Sequence, residues 1–225
     1  MKLKLYPYRF EIFLLSQLLI LFGALLFGPK LYDQWINPFV FQLNFALALI
    51  FLKKKRKIRN FMIFLVISTG VLIGSFILSD LSNNVVWTIR AFIYLMFYLV
   101  VMLEIVSQVW KLKEIGLKAL FRMISGYISI GLIGFFFLNL VYLQDTEAFR
   151  NLELVDHTDM AFVRERLMYF SFITLLTIGY GDIVPQTLMA QKLTVLIGLA
   201  GQLYLTIITA IVVGKFLSQA SKKLD

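Results

Sequence analysis

Long apolar runs separated by short charged stretches dominate the chain, at Phe10–Phe27, Trp35–Leu52, Phe61–Leu78, Val85–Val106, Met123–Leu143 and Leu188–Leu217. A hydrocarbon core of about 30 Å is crossed by about 20 apolar helical residues, so the pattern predicts six transmembrane helices. The second run opens on Asn37 and Pro38, where a proline in the first helical turn removes no needed hydrogen bond. The sixth is long enough to project beyond the bilayer or to tilt. Between the fifth and sixth, Arg166–Leu176 is too short to cross and suits a re-entrant helix. Ser107–Leu120 mixes Trp110, Leu112, Ile115 and Ala119 with Lys111, Lys113, Glu114 and Lys118, a pattern for a helix lying at the membrane surface. The expected organisation is an all-α membrane protein with a four-helix region over 1–106, a linker helix over 107–120 and a final module over 121–225.

Composition agrees with lipid as the solvent: 60% of the 225 residues are hydrophobic and 16% charged, with a mean hydropathy of +0.84. With no cysteine, disulfides and thiolate chemistry are excluded. The basic start followed by Phe10–Phe27 has the outline of a secretory signal, but the run is longer than a signal core and lacks a small-residue exit, so it reads as a retained helix. No serine–histidine–aspartate set, phosphate-cradling glycine loop or metal-ligand cluster marks an enzyme.

A net charge of +9 and the run Lys53-Lys54-Lys55-Arg56-Lys57-Ile58-Arg59 would suit nucleic acid in a soluble protein. Here the run lies in a short loop between two apolar spans, where the positive-inside rule accounts for it and no nucleic-acid partner is expected. Taking loops alternately, one side collects 16 of the 22 basic residues, including Lys2, Lys4, Arg9, Lys118, Arg122 and Lys215. The other side is acidic, with Asp33, Asp80, Asp145, Glu147, Glu153, Asp156, Asp159, Glu165 and Asp182. Both termini are therefore expected in the cytoplasm, with residues 144–187 outside.

Those outer residues contain Thr177-Ile178-Gly179-Tyr180-Gly181-Asp182. Dehydrating a potassium ion requires oxygens that replace its water shell, which a backbone supplies when successive carbonyls face one axis. An ordinary strand alternates its carbonyls. Aligning them needs backbone angles that side chains disfavour, and Gly179 and Gly181 relax that restriction. Thr177, Ile178, Gly179 and Tyr180 are the expected ion ligands, the Thr177 hydroxyl adding an inner oxygen. Tyr180 is expected to pack on Tyr169 or Phe170, Asp182 to place negative charge at the outer mouth, and the short helix to aim its negative end at the ions.

The stretch Tyr169–Pro185, YFSFITLLTIGYGDIVP, resembles the pore helix and selectivity filter of the pore-loop potassium channel superfamily. The resemblance extends over about residues 120–217 and is similar to the small bacterial potassium channel family proteins, whose pore follows preceding helices. It implies a homotetramer in the plasma membrane conducting K+ passively, and one chain indeed offers only a quarter of a carbonyl ring. A weakly selective cation channel and a nonconducting channel-like partner subunit remain as alternatives. Two positions depart from the family: Leu176 stands where many members have a second threonine, and Ile173 where some have a buried glutamate. Both bear on how the filter is buttressed.

Gly201, 19 residues after Asp182, has the family's spacing for an inner-helix hinge, with Gly198 one turn earlier. A bend there would splay the cytoplasmic end around Val213–Leu217, whereas close helix packing is the competing role. Gln202 and Thr209 share a face and suit either a water-filled cavity or interhelical hydrogen bonds. The fourth span carries Trp87, Arg90, Ile93, Met96, Leu99 and Met102 at every third position, so one charge replaces a voltage-sensing ladder. Four charges crossing 100 mV yield at most about 9 kcal/mol, and steep voltage gating is not expected. The single histidine, His157, lies in the acidic outer loop as a candidate pH-responsive group. No cytoplasmic ligand-binding domain is expected after the sixth span.

Overall fold

The computed structural model describes residues 8–28, 31–49, 56–78, 84–110, 116–152 and 160–221. Its helices are α1 Arg9–Phe27, α2 Asn37–Leu49, α3 Arg56–Leu78, α4 Asn84–Trp110, α5 Leu117–Gln144, α6 Met160–Leu175 and α7 Leu188–Ser221. Two short strands, β1 Phe149–Arg150 and β2 Val184–Pro185, pair antiparallel. Each apolar run corresponds to a helix, and the predicted short helix is α6, beginning at Met160 rather than Arg166. Four of the six expected spans are long and apolar enough to cross a membrane among the described residues: Arg9–Phe27, Val85–Trp110, Leu117–Gln144 and Leu188–Ser218. Of the other two, α2 is described over 13 residues, and α3 carries an apolar stretch at Ile58–Gly70 within its 23 residues.

Lys53–Lys55, Asp80, Lys111, Lys113, Glu153, Asp156, His157, Asp159 and both chain ends lie outside the described residues. Of the expected linker helix, the described ends continue α4 through Trp110 and open α5 from Leu117.

The second run begins differently from the expected proline-headed helix. Helical backbone is already present at Leu31, and a π turn spans Tyr32–Ile36, closed by the Asn37 N–H on the Tyr32 carbonyl. Pro38 therefore sits beyond the first turn. Its ring would press on the carbonyl four residues back, and the wider π turn relieves that crowding.

Around α5 pack α1, α4, α6 and α7, with α4 making the most extensive contact. From α2, α4 and α5 come Phe41, Phe45, Tyr94, Phe97, Tyr98 and Phe136, which share a buried aromatic core. Phe45 stacks on Phe97 at 3.7 Å and Phe41 on Tyr94 at 4.9 Å, while Tyr98 stacks on Phe136 at 5.9 Å. Beside it runs a buried polar chain: the Tyr98 hydroxyl donates to Asn44 Oδ1 at 2.9 Å, and Asn44 Nδ2 to Ser16 Oγ at 2.8 Å. Gln17 Nε2 then joins α1 to α5 through Ser129 Oγ at 2.9 Å and the Ser125 carbonyl at 3.2 Å. In a low-dielectric interior such groups are costly without partners, so the pairs select one register for α1, α2 and α4 on α5.

Asn44→Leu keeps the branching at Cγ but strands the Tyr98 hydroxyl and removes the donor to Ser16. It is expected to lower stability by about 1–3 kcal/mol, read as a lower midpoint of thermal unfolding in detergent.

Candidate functional site

α6 lies between α5 and α7, and small residues let it approach. The Phe172 ring occupies the space a side chain at Gly131 would fill, and Ser171 Oγ donates to the Gly131 carbonyl at 2.7 Å. At Gly134 a Cβ would fall 2.5 Å from Ser171 Oγ and 3.0 Å from Ile197 of α7. Buried Ser171 thus finds its acceptor on the neighbouring helix instead of in water.

α6 ends at Leu175 and the chain reverses into residues 177–182. The Thr177 N–H donates to the Thr174 carbonyl at 3.0 Å, and the Ile178 N–H to the Ile173 carbonyl at 2.9 Å. With Thr177 at φ 58°, this is the nested pair of bonds of a Schellman cap, whose left-handed position is usually glycine. Threonine holds it here at a cost of about 1–2 kcal/mol. Gly179 and Gly181 follow at φ 59° and 76°, while Ile178 and Tyr180 keep negative φ. The sign alternates through five residues.

Carbonyl direction follows from the same bonds. Within a trans peptide the C=O and the next N–H point opposite ways. The N–H groups of Thr177, Ile178 and Gly179 all turn back to the last carbonyls of α6, the third at 3.4 Å to Ile173. Consequently the carbonyls of Leu176, Thr177 and Ile178 all face away from α6, to one side. Ile173 and Leu176, the two departures noted in the sequence, serve here through backbone groups. The segment lies open within one chain, with Ile178 48% and Tyr180 71% exposed.

The Tyr180 ring makes no ring contact within the chain among the described residues, though it lies near enough to Tyr169 to interact with it electrostatically. Phe170 instead meets Phe149 edge-on at 5.9 Å, and the Tyr169 hydroxyl lies near the Asp182 carboxylate. Asp182 Oδ1 is buried without a partner among the described residues. Beyond Asp182, β2 pairs Val184 with Arg150 and Pro185 with Phe149, and the Gln186 N–H reaches the Ala148 carbonyl at 2.8 Å. Arg166 Nη2 fastens this strap to α6 through the Asn151 carbonyl at 2.9 Å.

On α7 the two hinge candidates differ. The helix runs unbroken through both. A Cβ at Gly198 would meet the Thr174 carbonyl at an ordinary 3.9 Å, whereas one at Gly201 would fall 2.6 Å from the Leu175 carbonyl oxygen. Gln202 and Thr209 are exposed and their side chains bond nothing among the described residues. Sequence reasoning missed Tyr127, Ser171 and the strap. The signal for the first two was present, since a hydroxyl inside an apolar span demands a partner, but the partner's identity was not.

Residues 126–219, from within α5 to near the end of α7, match the family described as Ion channel. No curated protein and no solved structure matches the chain. The stretch that matches this family includes α6 and residues 177–182 and runs over two helices of membrane-spanning length.

Gly201→Ala drives a methyl into a backbone oxygen that cannot swing aside. It is expected to cost about 1–3 kcal/mol, with Gly198→Ala close to wild type, when the two are compared by thermal unfolding in detergent.

Proposed function

We propose that the chain is one subunit of a homotetrameric, potassium-selective channel of the plasma membrane, with Thr177, Ile178, Gly179, Tyr180, Gly181 and Asp182 as its selectivity filter. One observation carries this reading: the N–H groups of residues 177–179 turn back on α6, so successive carbonyls face one side. Four copies around an axis would stack these carbonyls into rings that replace the water shell of K+, with the Thr177 hydroxyl as the innermost ligand. A thousandfold preference over sodium requires a difference of about 4 kcal/mol, about 1 kcal/mol from each of four rings. Passage needs no tight binding, since neighbouring ions repel one another onward.

Further support comes from what one chain leaves uncovered. Ile178 and Tyr180 at the filter, and Val195, Leu199 and Leu203 along α7, expose apolar surface that neighbouring copies would cover. Gln202 and Thr209, exposed and unbonded, would face the water-filled cavity below the filter. Gly201 and Gly198 remain the proposed hinge, with the bundle at Val213–Leu217 as its gate. Cytoplasmic termini place the filter at the outer side, where Asp182 draws cations to the mouth.

Liposomes holding the purified protein test the reading. Potassium efflux far faster than sodium efflux is expected; equal fluxes would identify a weakly selective cation pore, and no flux a nonconducting partner. Gly179→Ala places a side chain in left-handed backbone, costing about 1–2 kcal/mol in every subunit. Potassium flux is expected to fall at least about tenfold, or its preference over sodium to vanish, with membrane insertion unchanged. Wild-type flux in that variant would reject the filter assignment.

Arg90 stacks over the Trp87 ring at 3.9 Å, and Arg164 of α6 meets the same ring at 4.2 Å. Each such contact contributes about 0.5–2 kcal/mol, comparable with the roughly 2.3 kcal/mol that 100 mV exerts on one charge. Arg90→Gln is accordingly expected to leave the conductance–voltage relation shallow, as patch recordings over a wide voltage range would register.

A further inference from the structure

The Leu175 carbonyl, one of the last on α6, lies between α5 and α7. Tyr127 of α5 donates its hydroxyl to it at 3.1 Å, and Gly201 of α7 passes so near that a Cβ there would fall 2.6 Å from the same oxygen. Carbonyls 172–174 accept from backbone N–H groups of the following residues. Leu175 differs in depending on a side chain 48 positions away in sequence.

Tyr127 is itself held by α7. Tyr204, nearly one turn beyond Gly201, lies tilted against the Tyr127 ring with centroids 5.9 Å apart. Its hydroxyl donates to the Met123 carbonyl at 2.7 Å, one turn before Tyr127 on α5. Gly126 makes room, because a side chain there would overlap the Tyr204 hydroxyl. Contacts therefore run from α7 through Tyr204 and Tyr127 to Leu175, two residues before the left-handed Thr177.

We propose that Tyr127 and Tyr204 are positioning residues for the ion-binding segment, a two-tyrosine brace that sets the base of residues 177–179 according to where α7 lies around Gly201. This rests on reading 177–182 as the filter. The chemistry suits the role. A phenol at this depth is stable only while its hydroxyl is paired, so a displacement of α7 that carries Tyr204 off Met123 also loosens Tyr127 and withdraws the Leu175 donor. The Schellman cap transmits the change, since Thr177 and Ile178 hang from the same last turn. Inner helix and filter would then move together. The brace also supplies from α5 the kind of support that Ile173 cannot give from behind the filter.

Tyr127→Phe, Tyr204→Phe and the double variant test it in the full-length protein, since phenylalanine keeps the rings and removes only the hydroxyls. In detergent, hydrogen exchange at 172–181 is expected to rise about tenfold in Tyr127→Phe, matching the loss of one part-buried hydrogen bond. Tyr204→Phe, whose hydroxyl bonds no residue of that stretch, should raise it several-fold. The double variant should not exceed Tyr127→Phe alone, because the two act in series, and protection across residues 9–27 should stay unchanged. In single-channel records both single variants should shorten open bursts about tenfold at unaltered unitary conductance. Unchanged exchange at 172–181 in Tyr204→Phe, multiplied effects in the double variant, or loss of protection across α1 as well would each overturn the brace. A wild-type protein that passes no potassium would instead remove the filter reading, and the exchange measurements would still decide the brace.

Discussion

A helix that stops inside a membrane protein leaves the carbonyls of its last turn without partners, where little water is present to supply them. Much of the described geometry around α6 answers that constraint. Thr177 takes a left-handed conformation so that two following N–H groups can cap Thr174 and Ile173, and Tyr127 reaches across from α5 for Leu175. Capping consumes N–H groups, and each consumed N–H turns its peptide's carbonyl outward. The same bonds that satisfy the helix end thereby orient two of the oxygens proposed as ion ligands, those of Thr177 and Ile178. Gly179 and Gly181 continue the alternation where the cap itself ends.

Such a cap works only if α6 is immobile, and α5 provides the seat. One part of α5 carries Gly126, Gly131 and Gly134, where side chains of α6 and α7 fill the missing Cβ positions. Another presents Ser125 and Ser129 to Gln17 of α1, and a third presents Phe136 to the aromatic core from α2 and α4. Lipid tails are as apolar as leucine, so burying apolar area does little to hold helices together in a bilayer. Close backbone approach, aromatic contact and paired polar groups carry the specificity instead. α5 uses all three, which makes it the seat on which α1, α4, α6 and α7 pack.

At the outer end the molecule uses a different device. The β1–β2 strap joins the segments before and after α6, so residues 177–182 are held at both ends while their middle stays open. Arg166 ties the strap back to α6. On the same helix Arg164 shares the Trp87 ring with Arg90, which gives the fourth span's one basic residue a structural anchor beside α6.

How much was legible in the sequence follows from the range of the forces involved. The helical runs, the short helix before residues 177–182 and the need for left-handed backbone at Gly179 and Gly181 could all be read directly. Hydrocarbon sets a minimum length, charge avoids it, and a missing Cβ is a local property. The sequence likewise exposed Gly198 and Gly201 as a pair with no means of separating them. Only packing does so, because just one of them faces the Leu175 carbonyl. Threonine in the cap, the π turn before Pro38, the two-residue strap and the bond from Tyr127 to Leu175 were likewise decided by the tertiary structure. Each joins groups whose partner is set by how helices pack or how the backbone crowds, and no local propensity encodes a partner 48 residues away.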